Sequence, residues 1–209
     1  MVYWKLLTIF AQQNTDGMGV TYDIEEKKFV FDFEHDGAED IVSLTGGGYQ
    51  VEAFGKCFYY GYEFSPQVGG SVRTSFIHHV KFTEDLQNNN DLTNFIKKAI
   101  DNLSHQINLY DYNLVVMPES SSKVNQYMLR YIYRFAQPKL RKVKDILNAK
   151  ADEELCATIR KQNILIIDDV TTSGSTLNEI LRTLRILNED NDITIFSLIG
   201  RKDLMAESV

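Results

Sequence analysis

The stretch that most restricts the fold is Asn163-Ile-Leu-Ile-Ile-Asp-Asp-Val-Thr-Thr-Ser-Gly-Ser-Thr176, where an unbroken apolar run ends in two carboxylates and a loop of small residues. Ile164 to Ile167 lack the polar alternation of a half-exposed strand. They predict a strand covered on both faces, as in a parallel sheet between helices. Asp168 and Asp169 then lie at its C-terminal end, where open α/β sheets hold their ligands. The side chains of Thr172-Ser-Gly-Ser-Thr176 are small enough for backbone N–H groups to approach an anion, and the hydroxyls add donors. Leu177, Ile180, Leu181, Leu184 and Leu187 recur at three- and four-residue intervals, predicting an amphipathic helix whose N-terminus faces that loop. Free N–H groups and the helix dipole favour a phosphate there. Two readings compete with a phosphate site. One is a strand with an ordinary exit turn. The other is the acid-ended strand of a P-loop nucleotide hydrolase, which lacks support because no Gly-x-x-x-x-Gly-Lys-Ser/Thr occurs in the chain.

The preceding sequence repeats the strand–loop–helix pattern. After a polar connector ending in Asn88-Asn-Asn90, Asp91 is a candidate N-cap for a helix with the apolar stripe Leu92, Phe95, Ile96, Ala99, Ile100, Leu103 and Ile107. Leu114 to Met117 reads as a short buried strand and Pro118 to Ser122 as its exit loop. Val124, Tyr127, Met128, Tyr131, Ile132 and Phe135 read as the face of the next helix. With Ile193 to Ile199 as a later strand, the order β-α-β-α-β predicts an α/β fold with a parallel sheet.

The first 85 residues differ in character. Residues 1–82 hold 16 of the 24 aromatics, and helical periodicity is poor, so this part reads as β-rich. Phe29, Phe31 and Phe33 alternate with Val30 and Asp32, and Glu25-Glu-Lys-Lys28 joins them to Val20–Ile24, which predicts a hairpin. Gln50 to Phe64 can supply further strands between the breakers Gly46-Gly-Gly48 and Ser65-Pro66. The triple glycine has no strand–loop–helix context, so a plain turn is the better reading. His78 and His79, read within a strand, would point to opposite sides, and no Cys or carboxylate cluster completes a metal site around them.

A chain of 209 residues, 44% hydrophobic and 24% charged, accommodates one domain or one domain with a substantial extension. A net charge of −7 without a dense Lys/Arg cluster removes the driving force for sequence-independent nucleic-acid binding. Cys57 and Cys156 form neither a disulfide framework nor a zinc motif. The opening residues lack a basic region and cleavage site, and no apolar run reaches membrane-spanning length, so a soluble chain in the reducing cytoplasm is expected.

Asp168-Asp169-Val-Thr-Thr-Ser-Gly-Ser-Thr176 with its apolar strand resembles the phosphoribosyl-pyrophosphate motif of type I phosphoribosyltransferases. The resemblance extends from roughly Asp91 to Leu204. The late acid motif behind an N-terminal accessory region is also similar to the competence-associated members of that family. The resemblance implies an α/β core over residues 86–209, a parallel sheet flanked by helices, with residues 1–85 as a β-rich hood or accessory region. It implies an enzyme that binds phosphoribosyl pyrophosphate with Mg²⁺ and transfers ribose 5-phosphate to a nitrogenous base or amine, releasing pyrophosphate. A homodimer is usual in the family.

By the same resemblance Asp168 and Asp169 are catalytic, binding ribose hydroxyls directly or through water and a shared metal. Thr171, Thr172, Ser173, Gly174, Ser175 and Thr176 hold the 5-phosphate. Glu119, Ser120, Ser121, Ser122 and Lys123 stand where the family's pyrophosphate loop lies, although a Ser-rich helix cap explains them nearly as well. Arg73, Lys81 and Arg201 are candidate acceptor or pyrophosphate contacts, with ordinary surface charge as the competing reading. Adjacent carboxylates repel and need donors or a cation to stay ionised together. If the strand continues through them they point to opposite sides, and their roles differ. The sequence departs from the family before the acid pair: Asn148 to Gln162 has neither Gly nor Pro, and Ala149 to Ile159 reads as a helix where a mobile cover is expected. That departure keeps open an alternative, a non-catalytic sensor of phosphoribosyl pyrophosphate or a nucleotide.

Overall fold

The computed structural model describes residues 19–23, 25–32, 42–44, 51–53, 56–64, 70–118, 122–136, 138–142, 157–172, 174–187 and 191–200. The strands are β1 (Gly19–Asp23), β2 (Lys28–Asp32), β3 (Val42–Leu44), β4 (Val51–Ala53), β5 (Lys56–Phe64), β6 (Leu114–Met117), β7 (Lys139–Lys142), β8 (Asn163–Val170) and β9 (Asp192–Gly200). The helices are α1 (Gly70–Phe82), α2 (Asn90–Gln106), α3 (Lys123–Ile132) and α4 (Ser175–Leu187). The strands form one sheet in the order β2-β1-β3-β5-β9-β8-β6-β7, with β4 paired to β5. Pairing is parallel from β5 through β9, β8 and β6 to β7, and antiparallel among β5, β3, β1 and β2.

The apolar runs of the central strands behave as their composition requires. In β8, Leu165 and Ile167 enter one core, with Phe76 and Val80 of α1, Phe95, Ile96 and Ile100 of α2, and Val124 and Met128 of α3. Ile164 and Ile166 enter a second core on the opposite face, with Leu177, Ile180, Leu181 and Leu184 of α4. The sheet is thus sandwiched, α1 to α3 on one face and α4 on the other. Gly61 sets the seat of α2: a Cβ there would come within 2.4 Å of the Ala99 Cβ. Beside it, Tyr62 donates to the Phe95 carbonyl at 2.7 Å and stacks on the Phe95 ring at 3.6 Å between centroids.

The expected hairpin forms between β1 and β2, in register from Gly19 opposite Asp32 to Asp23 opposite Lys28. Its turn is built by Asp23, whose Oδ1 accepts from the N–H groups of Glu25 and Glu26, both at 2.9 Å. β6, β8 and β9 also occupy their expected positions. The described residues from Gly19 to Phe64 lie in strands or in the β1–β2 turn, and their sheet continues without a break into the parallel strands, because β5 lies beside β9 with Cys57 opposite Thr194 and Glu63 opposite Gly200.

Three local readings are corrected. Residues 70–82 form a helix and not part of a β-rich segment. Val72, Phe76 and Val80 recur every fourth residue and pack inward, a pattern masked in the sequence by β-branched and aromatic neighbours. His78 and His79 therefore sit on α1, His79 half-buried against Phe29 and Phe31 of β2 and Phe76 of its own helix. The cap of α2 is Asn89, whose side chain accepts from the Leu92 N–H at 3.0 Å; Asp91 lies in the first turn, where its charge suits the dipole. β7, Lys-Leu-Arg-Lys, was not anticipated, because a four-residue edge strand that is mostly basic carries no apolar period. The triple glycine, Cys156 and most of the stretch Asn148 to Gln162 lie outside the described residues; residues 157–159 are helical.

Candidate functional site

The path of the chain singles out one place on the sheet. β6 runs through α3 on the first face to β7 on its outer side, and β8 runs through α4 on the second face to β9 on the other side. The two connections diverge from adjacent parallel strands. Such a divergence opens a crevice beyond their carboxyl ends, the usual ligand position of open α/β sheets. Pro118 after Met117, and Thr171 and Thr172 after Val170, are the described residues that stand at these ends.

β8 remains extended through both carboxylates, so the alternation continues. Asp169 follows Leu165 and Ile167 onto the face of α1 to α3, and Asp168 follows Ile164 and Ile166 onto the face of α4. Asp169 is 1% exposed, and its Oδ1 lies 3.2 Å from Nζ of Lys81, in the last turn of α1. The same oxygen accepts the Val170 N–H at 2.7 Å, whereas Oδ2 is buried with no hydrogen-bond partner among the described residues. Asp168 is half-buried and accepts the Asp169 N–H on Oδ1 at 3.0 Å. Burial, followed by the charge of Asp169, pushes the Asp168 carboxyl up to about 7; Lys81, the Asp169 N–H and the Thr171 hydroxyl pull the other way. A proton is therefore exchangeable at Asp168 near neutral pH.

Beyond the strand, Thr171 is a tether. Its N–H donates to the Ile199 carbonyl at 2.9 Å and its hydroxyl bonds Ser197, which is fully buried in β9. Thr172 is exposed. Gly174 has φ +68°, a left-handed conformation that turns the chain into α4, and its carbonyl accepts the Asn178 N–H at 2.8 Å, so the helix closes on the loop itself. Among the described residues nothing lies within 4 Å of where a Gly174 Cβ would stand. Ser175 is exposed in the first turn of α4. Ser173 and the Thr176 side chain lie outside the described residues.

On the other flank Ser122 precedes α3, 4% exposed, with an Oγ that has no partner among the described residues and makes no capping bond. Lys123 is exposed and its ammonium donates to the Glu84 carbonyl, just beyond α1. Glu119, Ser120 and Ser121 lie outside the described residues, as does Arg201. Arg73 sits in the first turns of α1 with its guanidinium 5.2 Å from the Phe64 ring centroid, whereas Lys81, two helical turns further on, reaches the acid pair. The pairing of Lys81 with Asp169 was not visible in the sequence, since it depends on α1 being a helix. Ser197 was missed because a lone serine in an apolar strand reads as core.

Among the described residues no three His, Cys, Asp or Glu side chains gather to hold a metal ion. The chain offers Asp168, the more exposed of the two carboxylates. That donor set fits Mg²⁺ in the manner typical of phosphate sites, one or two carboxylates with the remaining ligands from substrate oxygens and water.

No protein-family model and no curated protein sequence matches the chain. Among solved structures it is similar to the HGPRT-ase from Leishmania tarentolae in complex with GMP, with a TM-score of 0.36 and 13% identity over 56% of this chain and 68% of that one. It is also similar to a phosphoribosyltransferase from Corynebacterium diphtheriae, with a TM-score of 0.33 and 13% identity over 62% of this chain and 94% of that one.

Proposed function

We propose that the crevice binds phosphoribosyl pyrophosphate with Mg²⁺ and that the protein transfers ribose 5-phosphate to a nitrogenous base or amine, releasing pyrophosphate. The observation that carries this reading is the position of the acid pair. Two carboxylates end a central parallel strand at the switch point of the sheet and lead through a left-handed glycine to the N-terminus of a 13-residue helix. Ribose has vicinal hydroxyls that carboxylates accept from, and its 5-phosphate suits free N–H groups at a helix start. In this assignment Thr172 to Thr176 cradle the phosphate, Thr171 anchors that loop to β9, Asp168 accepts a ribose hydroxyl, and the loop through Ser122 and Lys123 faces the pyrophosphate. Asp168 would hold Mg²⁺, whose charge would neutralise the leaving group. The negative carboxylates also stabilise positive charge developing at the anomeric carbon. The acceptor is left to the N-terminal region.

The alternative, a sensor that binds the same ligand without turnover, is favoured by one contact: Lys81 ties the acid pair to α1, which packs on the β1–β2 hairpin. Calorimetric titration with phosphoribosyl pyrophosphate, with and without Mg²⁺, tests the shared ligand. Metal-dependent binding that is lost in Asp168→Asn is expected, and no binding to folded wild-type protein would refute both readings. Pyrophosphate release during a screen of bases and amines then separates enzyme from sensor.

A further inference from the structure

The ion pair at the acid pair belongs to no part of the sequence motif. Lys81 and Asp169 come from elements 88 positions apart in the chain, and the contact is desolvated: the carboxylate side chain is 1% exposed and the lysine side chain 33%. For Lys81 to turn wholly to a pyrophosphate it would have to leave Asp169. That would strand a buried carboxylate whose other oxygen has no donor among the described residues and whose Oδ1 would keep the Val170 N–H. An uncompensated buried charge is among the costliest states a protein can adopt, so Lys81 is committed to Asp169.

Its influence on the ligand then runs through two links. Lys81 fixes Asp169, and the Asp169 N–H donates to Oδ1 of Asp168, the carboxylate on the other face and the more exposed of the two. Neutralising Asp169 also relieves Asp168 of a like charge one residue away. We propose that Lys81 is the positioning residue of the acid pair: it holds Asp169 as a permanent internal counter-ion on the α1 face of β8, leaving Asp168 as the carboxylate that meets the ribose end of the ligand. The proposal rests on the phosphoribosyl reading above. It divides the labour of two residues that the sequence alone treats as equivalent.

Titration with two ligands, ribose 5-phosphate and phosphoribosyl pyrophosphate, tests it on the full-length chain, with circular dichroism to check that each variant is folded. Lys81→Met weakens both ligands by the same factor, about tenfold or more given the coupling usual between contacting residues, and Lys81→Arg restores most of the affinity. In an Asp169→Asn background, Lys81→Met has little further effect, because the group through which it chiefly acts is gone and only its weaker direct attraction to Asp168 remains. This comparison of Asp169→Asn with Asp169→Asn/Lys81→Met stands even if the single Lys81→Met protein does not fold. A loss confined to phosphoribosyl pyrophosphate, or losses that add in the double variant, would overturn the proposal and make Lys81 a direct pyrophosphate contact. If wild-type protein binds neither ligand, the phosphoribosyl reading fails and the proposal falls with it.

Discussion

Replacing Asp168 by asparagine is expected to stabilise the unliganded protein at neutral and higher pH. Burial and the neighbouring Asp169 raise the Asp168 carboxyl from 3.8 to about 7 in the folded chain. A displacement of that size corresponds to about 4 kcal/mol of penalty on the ionised form. Because Asp168 retains some exposure, solvent screens part of this, and about 2 kcal/mol is the better expectation. The sign follows from proton counting. Below about pH 4 the carboxyl is neutral in the folded and unfolded chains alike, and the favourable contribution is fully present. Between about pH 4 and pH 7 the unfolded chain ionises while the folded one keeps its proton, so the Asp168 contribution falls as pH rises and is lost above about pH 7. Asparagine has no charge to desolvate, and its Oδ1 still accepts the Asp169 N–H. Urea unfolding of both proteins from about pH 4 to pH 8 reads the difference directly. The variant should match wild type at the acid end and exceed it by about 2 kcal/mol at the alkaline end. A variant no more stable than wild type at pH 8, or an advantage that grows toward low pH, would refute the argument. Ligand affinity should fall in the same variant, the pattern of a residue kept for binding at the expense of stability.

Lys81→Met should cost about 3 kcal/mol in urea unfolding because it orphans a buried carboxylate, whereas Asp169→Asn should cost about 1 kcal/mol, since the freed lysine can reach solvent; equal costs would mean the pair is not desolvated. Gly174→Ala should lower stability by about 1–2 kcal/mol through backbone strain alone, as φ is +68° and open space surrounds the new methyl. It should also weaken ribose 5-phosphate binding, and an unchanged melting curve would show that the turn relaxes. Gly61→Ala should destabilise by about 1–3 kcal/mol by pushing α2 off β5, with Ala99→Gly as a partial rescue in the double variant; a neutral single variant would show that α2 can shift freely.

What could be read from sequence followed from how local the signal was. β6 and β8 announce themselves by unbroken apolar runs, and α2 and α4 by stripes at helical spacing, because each is buried against both sheet and helix in a way that its own residues record. Helix α1 was misread because its inward residues Val72, Phe76 and Val80 are of the kinds that also favour strands, and its helical state is decided by the hairpin and α2 packed against it. The acid pair and its loop were legible as a unit, and the opposite facing of Asp168 and Asp169 followed from strand alternation. Their inequality in burial did not, since the partner of Asp169 lies on a helix that the sequence did not reveal. The place of β5 was equally hidden: nothing in Lys56 to Phe64 says that the strand is to lie beside one near the far end of the chain.

That placement also governs the order of assembly. β5 and β9 pair with Cys57 opposite Thr194, so the contact joining the antiparallel half of the sheet to the parallel half has one of the widest sequence separations in the fold. During synthesis β5 and β8 each wait with an unpaired inner edge until β9 emerges to fill the gap between them. Closure of so distant a contact is slow compared with hairpin or helix formation, and the open edges are templates for wrong partners meanwhile. A nascent chain stalled before residue 192 should therefore be a client for chaperones, although it already carries the complete acid-and-loop motif.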